Sequence, residues 1–219
     1  MKSARIKLRQ FVSAKSDTDF LRYWHSEPGT DGKKPLIVYI HGAGSRGTDP
    51  SVLQGNSALQ AILRNAGQRA VIVAPQCSAD TWFDQYALLT EFFERCLSEE
   101  EIDRGKVYLI GSSMGGYTVW QLAMSHPQWF TAVVPICGGG MYWNAARLKD
   151  LKIWAFHGAL DETVLPEESL KMVKAVNAAG GNASITILPH DAHNAWDTAL
   201  GMSELWEWLF DKENERGGA

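Results

Sequence analysis

Residues 107 to 118 read Val-Tyr-Leu-Ile-Gly-Ser-Ser-Met-Gly-Gly-Tyr-Thr, and within them Gly111, Ser113 and Gly115 make a G-x-S-x-G string. A serine hydroxyl is a poor nucleophile at neutral pH. It attacks a carbonyl only when a base lies within hydrogen-bond reach and a third group fixes that base in the right tautomer. Small residues on either side of Ser113 suit a strained strand-to-helix turn that lifts Oγ beyond the sheet edge. The N–H of Met114, at a helix start, would then point outward to hold an oxyanion. Alone, the string equally describes an ordinary glycine-rich loop.

Two further groups of the kinds that this chemistry needs follow downstream. The segment 157–164, His-Gly-Ala-Leu-Asp-Glu-Thr-Val, puts Asp161 in a loop after an apolar run. The segment 188–196, Leu-Pro-His-Asp-Ala-His-Asn-Ala-Trp, puts His193 in the next such loop. Ser113 is thus the expected nucleophile, His193 the base and Asp161 the residue that orients it. His190 is the alternative base and Glu162 the alternative orienting acid. A second oxyanion donor is expected from His41-Gly42-Ala43-Gly44, with the N–H of Ala43 first and that of Gly44 second.

The elements that must position these groups alternate. After an antiparallel hairpin at about 4–12 and 19–26, turning at 13–17, and a loop at 27–32, the apolar run 36–40 reads as a strand buried on both faces. A helix near 51–66, strand 70–74, helix 84–98, a strand from 107, the helix after Ser113 and strand 131–136 follow. Strand 152–157, helix 166–179, strand 183–188 and a helix at about 195–210 complete the pattern, before a polar tail at 211–219. Strands alternating with helices predict an α/β fold: a doubly wound, mostly parallel sheet of about eight strands with right-handed crossovers. In such sheets, active groups gather beyond the carboxyl ends of the strands, which places Ser113, Asp161 and His193 on one edge.

A chain of 219 residues suits a single α/β domain, 1–219. With 45% hydrophobic and 21% charged residues and a net charge of −4, it is not built to bind polyanions, so no nucleic-acid partner is expected. No apolar run approaches a membrane span, and residues 1–10 lack a leader pattern. A cytoplasmic protein is expected, or a secreted one if a leader was removed. Cys77, Cys96 and Cys137 read as reduced thiols; a bridge such as Cys77 to Cys137 would need an oxidising compartment. No cysteine, histidine or carboxylate cluster has ligand spacing, so neither metal nor cofactor is expected.

Nine tryptophans are many for this length. Trp120, Trp154, Trp206 and Trp208 fall at helix or strand positions suited to the core. Trp82, Phe83, Tyr142, Trp143 and Trp196 fall in loops at the catalytic edge and are candidate substrate contacts. His41 and His157 each close a strand before a glycine and are expected to bond loop carbonyls. The short stretch between Cys137 and residue 152 leaves no room for a bulky lid.

Through HGAGSRGTD (41–49), APQC (74–77) with the later Trp82, GSSMGG (111–116), HGALDETV (157–164) and HNAWD (193–197), the chain resembles the α/β-hydrolase superfamily. Within it, the resemblance is to the carboxylesterase, dienelactone hydrolase-like and prolyl-oligopeptidase-like branch, from residue 36 onward. It implies a lidless serine carboxylesterase for small to medium acyl esters, with Ser113, His193 and Asp161 as the triad. A peptidase or acyl-aminoacyl hydrolase and a non-catalytic binding module are the alternatives. The serine at the elbow departs from dienelactone hydrolases proper, which use cysteine, and Ser45 stands where many similar esterases carry an acid.

Overall fold

The computed structural model describes residues 5–16, 18–26 and 32–211. Residue 4 of the expected first strand, Asp17 of its turn, residues 27–31 of the loop and 212–219 of the tail lie outside these.

Among the described residues, eight strands form one sheet: β1 (Ile6–Val12), β2 (Phe20–Ser26), β3 (Lys34–Ile40), β4 (Val71–Pro75), β5 (Ile102–Ser112), β6 (Ala132–Ile136), β7 (Lys152–Gly158) and β8 (Ala183–Leu188). Their order across the sheet is β1-β2-β4-β3-β5-β6-β7-β8. The β1–β2 and β2–β4 pairs are antiparallel and all others parallel, as the alternating pattern predicts. β5 starts at Ile102, earlier than its apolar run, because Ile102 pairs with Lys34 ahead of an irregularity in the β3–β5 register.

Side chains of β3 alternate between the two faces. Leu36, Val38 and Ile40 enter a core shared with α3 (Tyr86–Leu97), α4 (Met114–Ser125) and α5 (Glu167–Ala178). Ile37 and Tyr39 enter the opposite core, under α2 (Ser57–Ala66) and the final helices. Both layers exclude water from the central strands, which is why their sequences are continuously apolar.

Two expected helices are broken. The 51–66 stretch divides into α1 (Pro50–Gln54) and α2 at Gly55-Asn56, because the Asn56 side chain accepts the Leu59 N–H and so starts a new helix. The last stretch divides into α6 (Trp196–Ala199) and α7 (Ser203–Leu209) around Gly201. There the Leu200 carbonyl accepts from Asn65 Nδ2 and Trp206 Nε1, fixing the break against α2.

No helix among the described residues is long and apolar enough to cross a membrane. Cys77, Cys96 and Cys137 are all free and buried.

Candidate active site

Ser113 sits between β5 and α4 with φ 55° and ψ −120°, a strained conformation for a residue with a Cβ. Positions 111 and 115, two residues to either side, must be glycine for steric reasons. A Cβ on Gly111 would meet Gly115 O at 2.5 Å, and one on Gly115 would meet Ile40 O at 1.9 Å. The Ser113 N–H donates to Ile136 O at 2.9 Å, tying the turn to β6.

Ser113 Oγ lies 2.7 Å from His193 Nε2, and His193 Nδ1 lies 2.7 Å from Asp161 Oδ2. Because a carboxylate only accepts, Nδ1 carries the proton, and the Nε2 lone pair faces the serine hydroxyl. The other oxygen of Asp161 accepts the Thr163 and Val164 N–H groups, each at 2.9 Å. Burial alone would push the Asp161 carboxyl up. The hydrogen bonds from His193, Val164 and Thr163 outweigh it and hold the carboxyl below its ordinary value. The acid and base loops are themselves tied together: the Ala159 and Leu160 N–H groups donate to Leu188 O and Asp191 O, both at 2.9 Å. The structure therefore brings together all three expected groups, each beyond the carboxyl end of its strand. His190 and Glu162, the alternatives, are exposed and make no hydrogen bond to Ser113 or His193.

Gly42 packs directly on the serine, where an added Cβ would lie 3.2 Å from Ser113 Cβ. His41 Nδ1 donates to Gly42 O at 2.7 Å, while its Nε2 accepts the Cys77 N–H at 2.9 Å. The next carbonyl, Ala43 O, accepts from Arg46 Nε at 3.0 Å and from the Arg46 N–H at 3.2 Å. In a trans peptide, C=O and N–H point opposite ways. Pinning the Gly42 and Ala43 carbonyls thus turns the N–H groups of Ala43 and Gly44 away from those partners, and neither N–H donates to another described residue. As expected, His41 is a structural histidine: burial pushes its pKa down to about 4, so its ring is neutral.

A polar thread that the sequence did not disclose runs behind the site. Tyr39 Oη lies 3.0 Å from Ser112 Oγ and 3.2 Å from Asn56 Oδ1, and Asn56 Nδ2 donates to Ser45 Oγ at 3.0 Å. It links the residue before the nucleophile to the loop of Ala43. Only an alternating strand that buries a tyrosine could have hinted at it.

The aromatic expectations divide. Trp82 is corrected: it is fully buried, with its indole N–H donated to His41 O at 3.0 Å, and so offers no face to a ligand. Phe83, Tyr142 and Trp143 are exposed, Trp143 at 73%, and Tyr142 and Trp143 pack edge to face. Trp196 is half-buried and stands edge-on to His193, with ring centroids 5.7 Å apart. A cavity of about 500 Å³ between the β1–β2 hairpin and α3 is lined by Phe11, Tyr23 and Phe92 and contains none of the triad.

The absence of any ligand-like cluster, expected from sequence spacing, does not hold in space. Cys137, His157 and Asp161 bring their donor atoms within 4.8 Å of one another, all buried. Their chemistry does not suit a metal. Burial pushes the Cys137 thiol up to about 12, and the Asp161 oxygens already accept three N–H groups.

A family model for the alpha/beta hydrolase fold matches residues 35–173, and the chain belongs to that family. Its structure is similar to that of a thermostable esterase, at 30% identity and a TM-score of 0.87, over 96% of this chain and 63% of that one. It is also similar to a ferulic acid esterase (16% identity, TM-score 0.72, 95% of this chain and 97% of that one). The acylaminoacyl peptidase of Pyrococcus horikoshii is a third (16% identity, TM-score 0.75, 100% and 43%). The chain thus spans less than two thirds of the thermostable esterase and less than half of the peptidase. No curated protein matches it.

Proposed function

We propose that the protein is a serine carboxylic ester hydrolase acting on small to medium acyl esters. The observation that carries this reading is the unbroken relay Ser113–His193–Asp161, with both contacts at 2.7 Å and the serine held in a strained turn. Ser113 Oγ bonds to the acyl carbon as its proton passes to His193 Nε2. The negative charge that develops on the carbonyl oxygen is met by the N–H groups of Met114 and Ala43, each such donor contributing roughly 3 kcal/mol to the transition state. When the tetrahedral intermediate collapses, the proton on His193 goes to the departing alkoxide as the carbon–oxygen bond breaks. Water then repeats the sequence on the acyl-enzyme, and Asp161 stabilises the imidazolium in both halves.

The exposed Ala43 and Gly44 fit an open, lidless site, and Phe83, Tyr142, Trp143 and Trp196 supply apolar surface for the acyl or alcohol group. The peptidase similarity keeps acyl-aminoacyl hydrolysis as the second reading, and a non-catalytic module on the same fold would show ligand binding without turnover. The test is a graded panel of p-nitrophenyl esters, from acetyl to long-chain, with hydroxycinnamoyl esters and a blocked peptide anilide alongside. Ester turnover abolished in Ser113→Ala, together with labelling of Ser113 by a fluorophosphonate, is expected. Wild-type turnover by Ser113→Ala would overturn the assignment.

A further inference from the structure

The triad carboxylate is touched by a second imidazole. His157, the penultimate residue of β7, is fully buried, and its Nε2 lies 3.3 Å from Asp161 Oδ2, the oxygen that also holds His193. The same Nε2 lies 2.8 Å from Val164 O. On the other side of the ring, Nδ1 lies 2.7 Å from Ser169 Oγ, which lies 2.7 Å from Gly138 O.

These contacts can be counted in protons. Three short contacts, Nε2 to Val164 O, Nδ1 to Ser169 Oγ and Ser169 Oγ to Gly138 O, each need one hydrogen, and the two carbonyls only accept. Ser169 supplies one. A neutral imidazole supplies one more, which would leave one contact as lone pair against lone pair inside the core. Only a ring protonated on both nitrogens satisfies all three. A buried cation is tolerable when paired and fully hydrogen-bonded, and the carboxylate of Asp161 is adjacent with no exposed side-chain surface.

We propose that His157 is a doubly protonated positioning residue, whose imidazolium fixes Asp161 toward His193 and offsets part of its negative charge. This rests on the triad reading above. The groups facing the ring are Asp161 and the Val164 carbonyl from the acid loop, Ser169 from α5, and Gly138 O and the neutral Cys137 thiol from the end of β6; His193 lies across the carboxylate. The consequence for catalysis is electrostatic. A fixed positive charge beside Asp161 offsets part of the negative potential that the carboxylate places on His193.

The first measurement is side-chain ¹H–¹⁵N NMR of the intact protein, assigned with His157→Gln. Both His157 nitrogens are expected to be protonated at neutral pH; an unprotonated Nδ1 there would overturn the proposal even if the variants fail to fold. The second is the pH profile of Ser169→Ala, in which a neutral ring satisfies the contacts that remain. Its acid limb of kcat/KM is expected to move upward by on the order of one pH unit with KM unchanged. A limb that stays in place, with only kcat lowered, would reduce His157 to packing. Whether Ser113→Ala abolishes turnover is a separate outcome that leaves the ring-proton readout intact.

Discussion

His41 donates from Nδ1 to the carbonyl of its own neighbour, Gly42, at 2.7 Å, and this bond fixes the orientation of the loop against Ser113. The ring is buried and neutral, with its pKa pushed down to about 4 by loss of water. An unfolded chain takes up a proton on the same ring near pH 6.5. Between those values the unfolded state binds more protons than the native one, so stability rises with pH from about 4 to about 6.5 and levels off above. The amplitude is on the order of 3 kcal/mol. Urea unfolding across this window should show a flatter slope for His41→Asn, and equal slopes would refute the assignment. Asp161 acts in a different window: its lowered carboxyl stabilises the fold above the ordinary carboxylate value and loses that contribution only as pH falls below it.

The glycines around Ser113 should separate folding from catalysis. A methyl group on Gly115 would meet the Ile40 carbonyl at 1.9 Å, and backbone cannot give way as a side chain does. Gly115→Ala is expected to cost more than the roughly 1–3 kcal/mol usual for overpacking, and to yield little folded protein. At Gly42, where the closest approach is 3.1 Å to Ser112 O, alanine should fold with near-normal thermal stability and a reduced kcat. Normal kcat in folded Gly42→Ala would argue against the close packing of that loop on the serine.

Trp82 and Trp143 should behave as opposites. Trp82→Ala removes a fully buried indole and is expected to destabilise by about 3–5 kcal/mol, with KM of the folded fraction unchanged. Trp143→Ala touches a ring that is 73% exposed, so stability should move by no more than about 0.5 kcal/mol while KM for aromatic acyl esters rises. Esterase assays paired with thermal melts would distinguish them, and a KM change confined to Trp82→Ala would reverse the two roles.

Trp196 meets His193 at an interplanar angle of 86°. Such edge-to-face contacts are worth roughly 0.5–1.5 kcal/mol, about twofold to just over tenfold in rate when they hold a reacting group in place. Trp196→Ala should lower kcat by that factor, and Trp196→Phe should recover most of it because the ring edge is retained. Equal kcat for alanine, phenylalanine and the parent would show that the indole does not orient the base.

The parts of the molecule that follow from periodicity were legible in the sequence. The apolar runs at 36–40 and 131–136 are central strands because only residues shielded on both faces can be continuously apolar. Ser113, Asp161 and His193 each follow a strand of the parallel part of the sheet, β5, β7 and β8, so the topology delivers all three to one edge. The break after Gln54 rests on one local cap, the Asn56 side chain accepting the Leu59 N–H, which periodicity does not reveal, and the break after Ala199 was hidden because Leu200 O is held by Asn65, 135 residues away in sequence. The burial of Trp82 was hidden for a similar reason: residue type does not say whether a loop folds inward, and its partner, His41 O, lies 41 residues away in sequence. The contact of His157 with Asp161 was also obscured, since the two are four residues apart but joined by a turn and not a helix.

The placement of the triad on the sheet has a temporal side. Ser113, Asp161 and His193 follow β5, β7 and β8, and β8 is both the last strand among the described residues and an outer strand of the sheet. Contacts between distant parts of a chain form late, because loop closure must precede them. A refolding chain can therefore bury its central strands, with Trp82 and Trp120 on one face of them, before His193 reaches Ser113. Part of the intrinsic fluorescence is expected to recover before any Ser113-dependent turnover, which waits for β8 to dock and carry His193 across to Ser113.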